Sequence, residues 1–219
     1  MDWSPVVLSL QLASVSTAVL LVLGTPLARW IGLSSSRTSR VVRALLQIPM
    51  VLPPTVLGFY LLVVLSPGGA FGGFVRDRLG LDLLFHFPGL VVAGVLSGIP
   101  FLTGPVIAGF QALPPHYREA SLCLGRSPWT TFWRLELPLV FPSLVSGFVL
   151  TFLHAIGEFG VVLMIGGKIP GQTYTVSIQL FDMVEQMDFA SAHKLAFGLS
   201  AVSFLGLLAL FALQNRKSP

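Results

Sequence analysis

The segment LPPHYREASLCLGRSPWTTFWRLELPL, residues 113–139, carries acids and bases between two long apolar runs that have almost none. Pro114 and Pro115 suit a helix start, where a missing amide proton leaves nothing unsatisfied, and Glu119 falls in the early turns, where the helix dipole favours an acid. Tyr117, Ala120, Ser121 and Leu124 then recur at spacings of three and four and share one helical face. Gly125 can take the left-handed backbone that ends such a helix. Ser127-Pro128 turns the chain before residues 129–137 lead back to an apolar run at Pro138. A helix–turn–helix over about residues 112–138 is expected. Reversing a chain at a membrane surface takes only a few residues, so about 25 ordered ones point to a docking surface for a soluble partner.

The flanking runs set the class. The 219 residues are 54% hydrophobic and only 10% charged, whereas a soluble domain carries roughly 25% charged residues. Apolar stretches near the ~20 residues that cross hydrocarbon occur at 5–28, 45–65, 89–110, 139–165 and 195–213. The expectation is an all-α, polytopic membrane protein of about five transmembrane helices, a single transmembrane domain over 1–219. The first run follows Asp2 and no Lys or Arg, unlike the basic start of a cleaved signal peptide, and is expected to stay as a helix. The net charge of +4 comes from Lys and Arg scattered at helix ends, which argues against a nucleic-acid partner. Cys123 is the single cysteine, which excludes a disulfide or cysteine metal site.

Basic residues orient the spans, because Lys and Arg are retained in the cytoplasm. With the N-terminus outside and the C-terminus cytoplasmic, the inner side holds Arg29, Arg37, Arg40, Arg43, Arg118, Arg126, Arg134, Arg216 and Lys217. Outside lie Arg76, Arg78, Lys168 and Lys194, offset by Asp77, Asp82, Asp182, Glu185 and Asp188. The outer connection 166–194 is too long for a turn. Val176, Leu180, Met183 and Val184 give it a short interfacial helix.

Ile48-Pro49, Pro54 and Gly58-Phe59 recur at identical spacing as Ile99-Pro100, Pro105 and Gly109-Phe110, which suggests two kinked helices bordering a pathway. Gly24, Gly94, Gly98, Gly104, Gly147, Gly157 and Gly160 are expected to let helices approach closely.

Glu119-Ala120-Ser121, Gly125 after three more residues, and Leu135-Glu136-Leu137-Pro138 after another nine resemble the EAA loop of ABC importer permeases. The usual form is Glu-Ala-Ala, three residues, Gly, nine residues, Ile-x-Leu-Pro; Ser121 and Leu135 are mild departures. The resemblance implies a type I ABC importer permease fold in which residues 117–126 dock in a cleft of a separate ATPase subunit. Tyr117, Glu119, Ala120, Ser121, Leu124, Gly125 and Arg126 would form that coupling surface, with Glu119 the acidic contact and Gly125 the turn. The implied assembly is a homodimer of this chain, two ABC ATPase subunits that use ATP and Mg, and a periplasmic or extracellular oxyanion-binding protein. The chain itself would carry no cofactor and no metal.

Residues 154–193 resemble the molybdate permeases and their sulfate relatives. Gly157-Glu158-Phe159-Gly160 and the Gly-x-Ile-Pro-Gly-x-Thr run from Gly167 to Thr173 occur in both groups, and Glu185, Met187, Asp188 and Ala190 to His193 sit closer to the molybdate group. Molybdate, with tungstate as its analogue, is the implied substrate; sulfate or thiosulfate is the alternative. Lys168 stands where Asn is commoner. An anion must pass weak, multiple contacts without being trapped by a fixed cation, and no Lys or Arg lies at the centre of a span. Pro54, Thr55, Thr103, Thr151 and Glu158 are candidate pathway or gate residues. Glu158 repels an anion, which favours a structural role; His154 one turn earlier is either its partner or a packed histidine, and the packed reading is preferred.

Two other classes are disfavoured. An intramembrane serine protease needs a glycine two residues before Ser97, and Val95 is there. A gradient-driven carrier has no use for a docking helix of this spacing. Gly167-Lys168 is followed by Ile169 without the upstream glycine spacing of a phosphate-binding loop, so hydrolysis is assigned to a partner and the chain is not expected to be an enzyme.

Overall fold

In the computed structural model, which describes residues 3–215, those residues form helices and connecting turns. The order is α1 (Ser4–Leu33), α2 (Arg37–Val51), α3 (Pro54–Leu65), α4 (Ala70–Leu79), α5 (Phe87–Gln111), α6 (Pro115–Cys123), α7 (Pro128–Thr131), a π-helical turn (Phe132–Glu136), α8 (Leu137–Gly157), α9 (Gly160–Gly166), α10 (Val176–Glu185) and α11 (Phe189–Asn215). Four helical stretches are long and apolar enough to cross a membrane: Ser4–Leu33, Phe87–Gln111, Pro128–Gly157 and Phe189–Gln214. A fifth crossing is obtained if α2 and α3 count as one broken span. Arg216 and Lys217, assigned above to the inner side, lie outside the described residues.

α1, α5 and α8 make the packed centre. Leu20, Ala28, Leu102, Val106, Phe110 and Val140 are buried together toward one end of it, and Leu12, Leu90, Ala93, Val161, Val162 and Ile165 toward the other, where α3 and α9 close over α5. Lipid supplies no hydrophobic drive between helices, so close contact depends on small residues. A Cβ at Gly94 would come within 2.7 Å of Ser16 Oγ, and one at Gly147 within 3.0 Å of the Leu102 carbonyl. Gly24, Gly98 and Gly160 are equally confined, but Gly104 and Gly157 face open space, so their expected packing role is corrected.

The second span is not the straight run 45–65. Its helix begins at Arg37 and bends by 111° between α2 and α3. The cause is the tandem Pro53-Pro54. A residue before proline is driven out of the helical region, which here applies twice: Leu52 has φ −70, ψ 142 and Pro53 φ −54, ψ 135. The repeat in α5 has Gly104 where Pro53 stands, and α5 runs unbroken through Pro100 and Pro105. The two copies of the motif therefore build different objects, one broken and one continuous.

The fourth span also differs from 139–165. It starts at Pro128, continues through the π-helical turn, and ends at Gly157; α9 is a separate short helix after a break at Glu158. The expected interfacial helix is α10. It lies at the α1 N-terminus, where Ser9 Oγ accepts the Val176 N–H at 2.9 Å.

Candidate functional site

The helix α6 stands apart from the bundle and buries none of its nine residues. Pro114 and Pro115 open it, and its end is a double hydrogen-bonded turn: Gly125 N–H donates to the Leu122 carbonyl at 2.9 Å and Arg126 N–H to the Ser121 carbonyl at 3.2 Å. That pattern needs a left-handed residue after the cap, and Gly125 has φ +71. Ser127 then accepts the Thr130 N–H at 3.2 Å and starts α7 with Pro128 in the first turn.

This places the residues expected to couple as follows. Glu119, Ala120, Gly125 and Arg126 are exposed; so are Tyr117 and Leu124, the latter 80% open. Ser121 turns inward, and its hydroxyl lies 2.8 Å from that of the buried Thr131. Ser121, the departure from alanine in the motif, thus ties α6 to α7. The four residues read as one face are divided, with Tyr117, Ala120 and Leu124 open and Ser121 engaged.

Below the loop, Glu136 is buried with its side chain 3% exposed. It accepts from Arg29 Nε and, at 3.0 Å, from Arg29 Nη2, while Arg118 Nε lies 3.8 Å away. The Arg29 guanidinium also sits over the Phe132 ring at 5.3 Å. Sequence reasoning used Arg29 and Arg118 only as orientation signals and Glu136 only as a variable motif position. The available sign was an acid inside Leu-Glu-Leu-Pro, adjoining an apolar run. These contacts, with Arg43 reaching Gln111 at 3.4 Å, bring the expected inner-side residues to one end of the bundle.

At the opposite end Glu158 sits at the break between α8 and α9. Its Oε1 accepts the Val161 N–H at 3.2 Å, its Oε2 lies 3.1 Å from His154 Nε2, and its carbonyl accepts from Ser177 Oγ at 2.7 Å. His154 stacks on Phe101, with ring centroids 4.0 Å apart. His154 is thus a packed histidine beside Glu158, its buried Nε2 forming no hydrogen bond. Lys168 is held by Asp182 and, at 2.9 Å, by Glu185.

The remaining candidates are separated. Pro54 and Thr55 are exposed at the α2–α3 break, where Pro54 packs against Gly160. Thr103 is enclosed and bonds the Ile99 carbonyl at 2.8 Å. Thr151 is enclosed too, and its hydroxyl has no protein partner. A single subunit does not present the four on one surface.

Comparison with known proteins gives four findings. The family described as binding-protein-dependent transport system inner membrane component matches residues 24–217. The molybdenum transport system permease protein ModB of Azotobacter vinelandii is 45% identical over 218 residues, covering 99% of this chain and 96% of that protein. The sulfate transport system permease protein CysT of Escherichia coli (strain K12) is 32% identical over 173 residues, covering 79% and 62% respectively. Among solved structures, the inward-facing MetNI methionine ABC transporter superposes with a TM-score of 0.72 at 17% identity, covering 98% of this chain and 95% of that one.

Proposed function

We propose, from the premise that this chain belongs to the family of binding-protein-dependent transport system inner membrane components, that it is the multi-pass inner-membrane permease of an ATP-driven molybdate importer. The observation that carries the substrate is the 45% identity along essentially the whole chain to a molybdenum permease. The likeness to a sulfate permease is lower and covers less of both chains. The likeness to MetNI, at 17% identity, speaks for the fold alone.

The transport cycle is assigned as follows. Two copies of the chain enclose the pathway between them, since four or five spans make a poor channel alone. Two ATPase subunits, using ATP and Mg, hold residues 117–126 in the cytoplasm. The exposed α6 with its fixed end supports this, because none of its residues is buried and Tyr117, Glu119 and, just past its end, Leu124 are exposed. An external binding protein delivers the anion. ATP binding closes the ATPases and opens the pathway outward; hydrolysis resets it inward. This chain does no covalent chemistry. Pro54 and Thr55, at a broken helix, are the stronger candidates to border the pathway, because irregular backbone at membrane depth is tolerated where it lines a cavity. Thr103, Thr151 and Glu158 are assigned to holding the subunit together.

The test is ATP-dependent uptake of labelled molybdate into liposomes holding this chain with its ATPase and binding protein, competed separately by tungstate and sulfate. Block by tungstate and not sulfate is expected. Equal competition by sulfate moves the protein to the sulfate group, and uptake without ATP overturns the transporter class.

A further inference from the structure

We propose that Glu136 is a positioning residue for coupling: a buried carboxylate strut through which movement of α6 reaches α1. The inference rests on the importer reading above.

Glu136 is the only described acid that touches both the exposed loop and a membrane-crossing helix of the bundle's inner end. Arg118 belongs to α6, Arg29 to α1 seven turns from its start, and both guanidinium groups converge on the one carboxylate. The approach of Arg29 is two-pronged, a geometry that fixes direction as well as distance. Phe132 and Glu136 begin and end the π-helical turn, and both engage the same guanidinium, one through its ring and one through its carboxylate. Leu137 N–H bonds the Phe132 carbonyl five residues back, and Pro138, which has no N–H, follows at once. Such wide turns concentrate at functional sites.

The loop is otherwise lightly attached. A cavity of about 240 Å³ separates α6 from the base of α8, lined by Arg118, Leu122, Leu135, Glu136 and Leu139 among others. Ser121–Thr131 links α6 only to α7. The Arg118–Glu136–Arg29 chain is the polar connection that continues from α6 into the packed centre, where α1 lies against both α5 and α8. A buried ion pair is a weak source of stability but a strict one of geometry, since removing one partner strands the other. That suits a transmitting element.

The experiment measures molybdate uptake and ATP hydrolysis in the same liposomes with the complete complex. Arg118→Gln is half exposed and leaves the Arg29–Glu136 pair in place. The double variant Arg29→Met/Glu136→Met replaces the pair by apolar groups without stranding a charge. In the double variant, whose positions lie outside residues 117–126, the ATPase subunits still co-purify and hydrolysis continues while uptake per ATP falls about tenfold, the scale of an ordinary coupling energy; Arg118→Gln, measured per assembled complex, lowers the same ratio. Arg118→Lys, which keeps the charge, restores most of the ratio; a purely structural role predicts no such ordering. Unchanged uptake per ATP in Arg118→Gln overturns the strut, whatever the double variant does. A wild-type complex without ATP-driven uptake overturns the importer reading instead.

Discussion

Glu119 is an exposed carboxylate near the middle of a helix that buries none of its residues, at the edge of the cavity between α6 and α8. Its removal has no internal contact to disturb, so Glu119→Ala is expected to insert in the membrane at wild-type levels with unchanged thermal stability. Loss of a charge-assisted contact of roughly 1.5–3 kcal/mol to the ATPase should lower uptake at least about tenfold; normal uptake in liposomes would sink the assigned role. Lys168 answers a different question, since a fixed cation on the expected outer side would trap an anion. Its ammonium is instead neutralised: the hydrogen bond to Asp182, then that to Glu185, raises its pKa from 10.5 to about 12, and it lies 5.1 Å over the Phe181 ring. Because the folded value is raised, the stabilisation is complete below pH 10.5 and disappears as pH rises through about 12. Lys168→Met should flatten the dependence of thermal unfolding on pH in that window, with little change at neutral pH, where an exposed pair contributes little. A parallel slope in both proteins would show the cluster to be irrelevant to stability.

The two proline motifs show how one residue decides an element. Ile48-Pro49 and Ile99-Pro100 begin the same pattern, yet the first copy breaks and the second does not, and the difference traces to Pro53 against Gly104. A single proline inside a helix forfeits one hydrogen bond and can be absorbed as a kink. Two in succession force two adjacent residues into extended geometry, which no helix accommodates. Pro53→Gly should therefore relax the 111° bend toward a kinked, continuous helix and draw Pro54 away from Gly160. Spin labels at Leu45 and Leu62 would then report a longer distance, and an unchanged distance would place the cause of the break in tertiary packing. The α8–α9 break has another origin. Glu158, one residue before the α9 N-cap, accepts the Val161 N–H, a local side-chain bond to the backbone that competes with continuing the helix.

For the whole molecule, the unpaired surface is as informative as the core. α11 buries Ala192 and Leu210 but leaves Phe197, Phe204, Leu205, Leu208 and Phe211 open. In water that would be untenable; in lipid or against a second copy it is ordinary. The sequence by itself determined the class, the number of apolar runs and the exposed helix with its turn at residues 115–128, because these depend on composition over about 20 residues or on local turn chemistry such as the left-handed Gly125. Helix ends were less legible. α1 continues to Leu33 although its apolar run stops at Ala28, since backbone hydrogen bonding does not end where hydrophobicity does, and this extension is what carries Arg29 within reach of Glu136. Only the tertiary structure decided that contact, along with the separation of Thr103 and Thr151 from Pro54 and Thr55. Arg29 and Glu136 are 107 residues apart in the chain, and the burial of a charge pair depends on which helices become neighbours, a long-range packing outcome that no local pattern encodes.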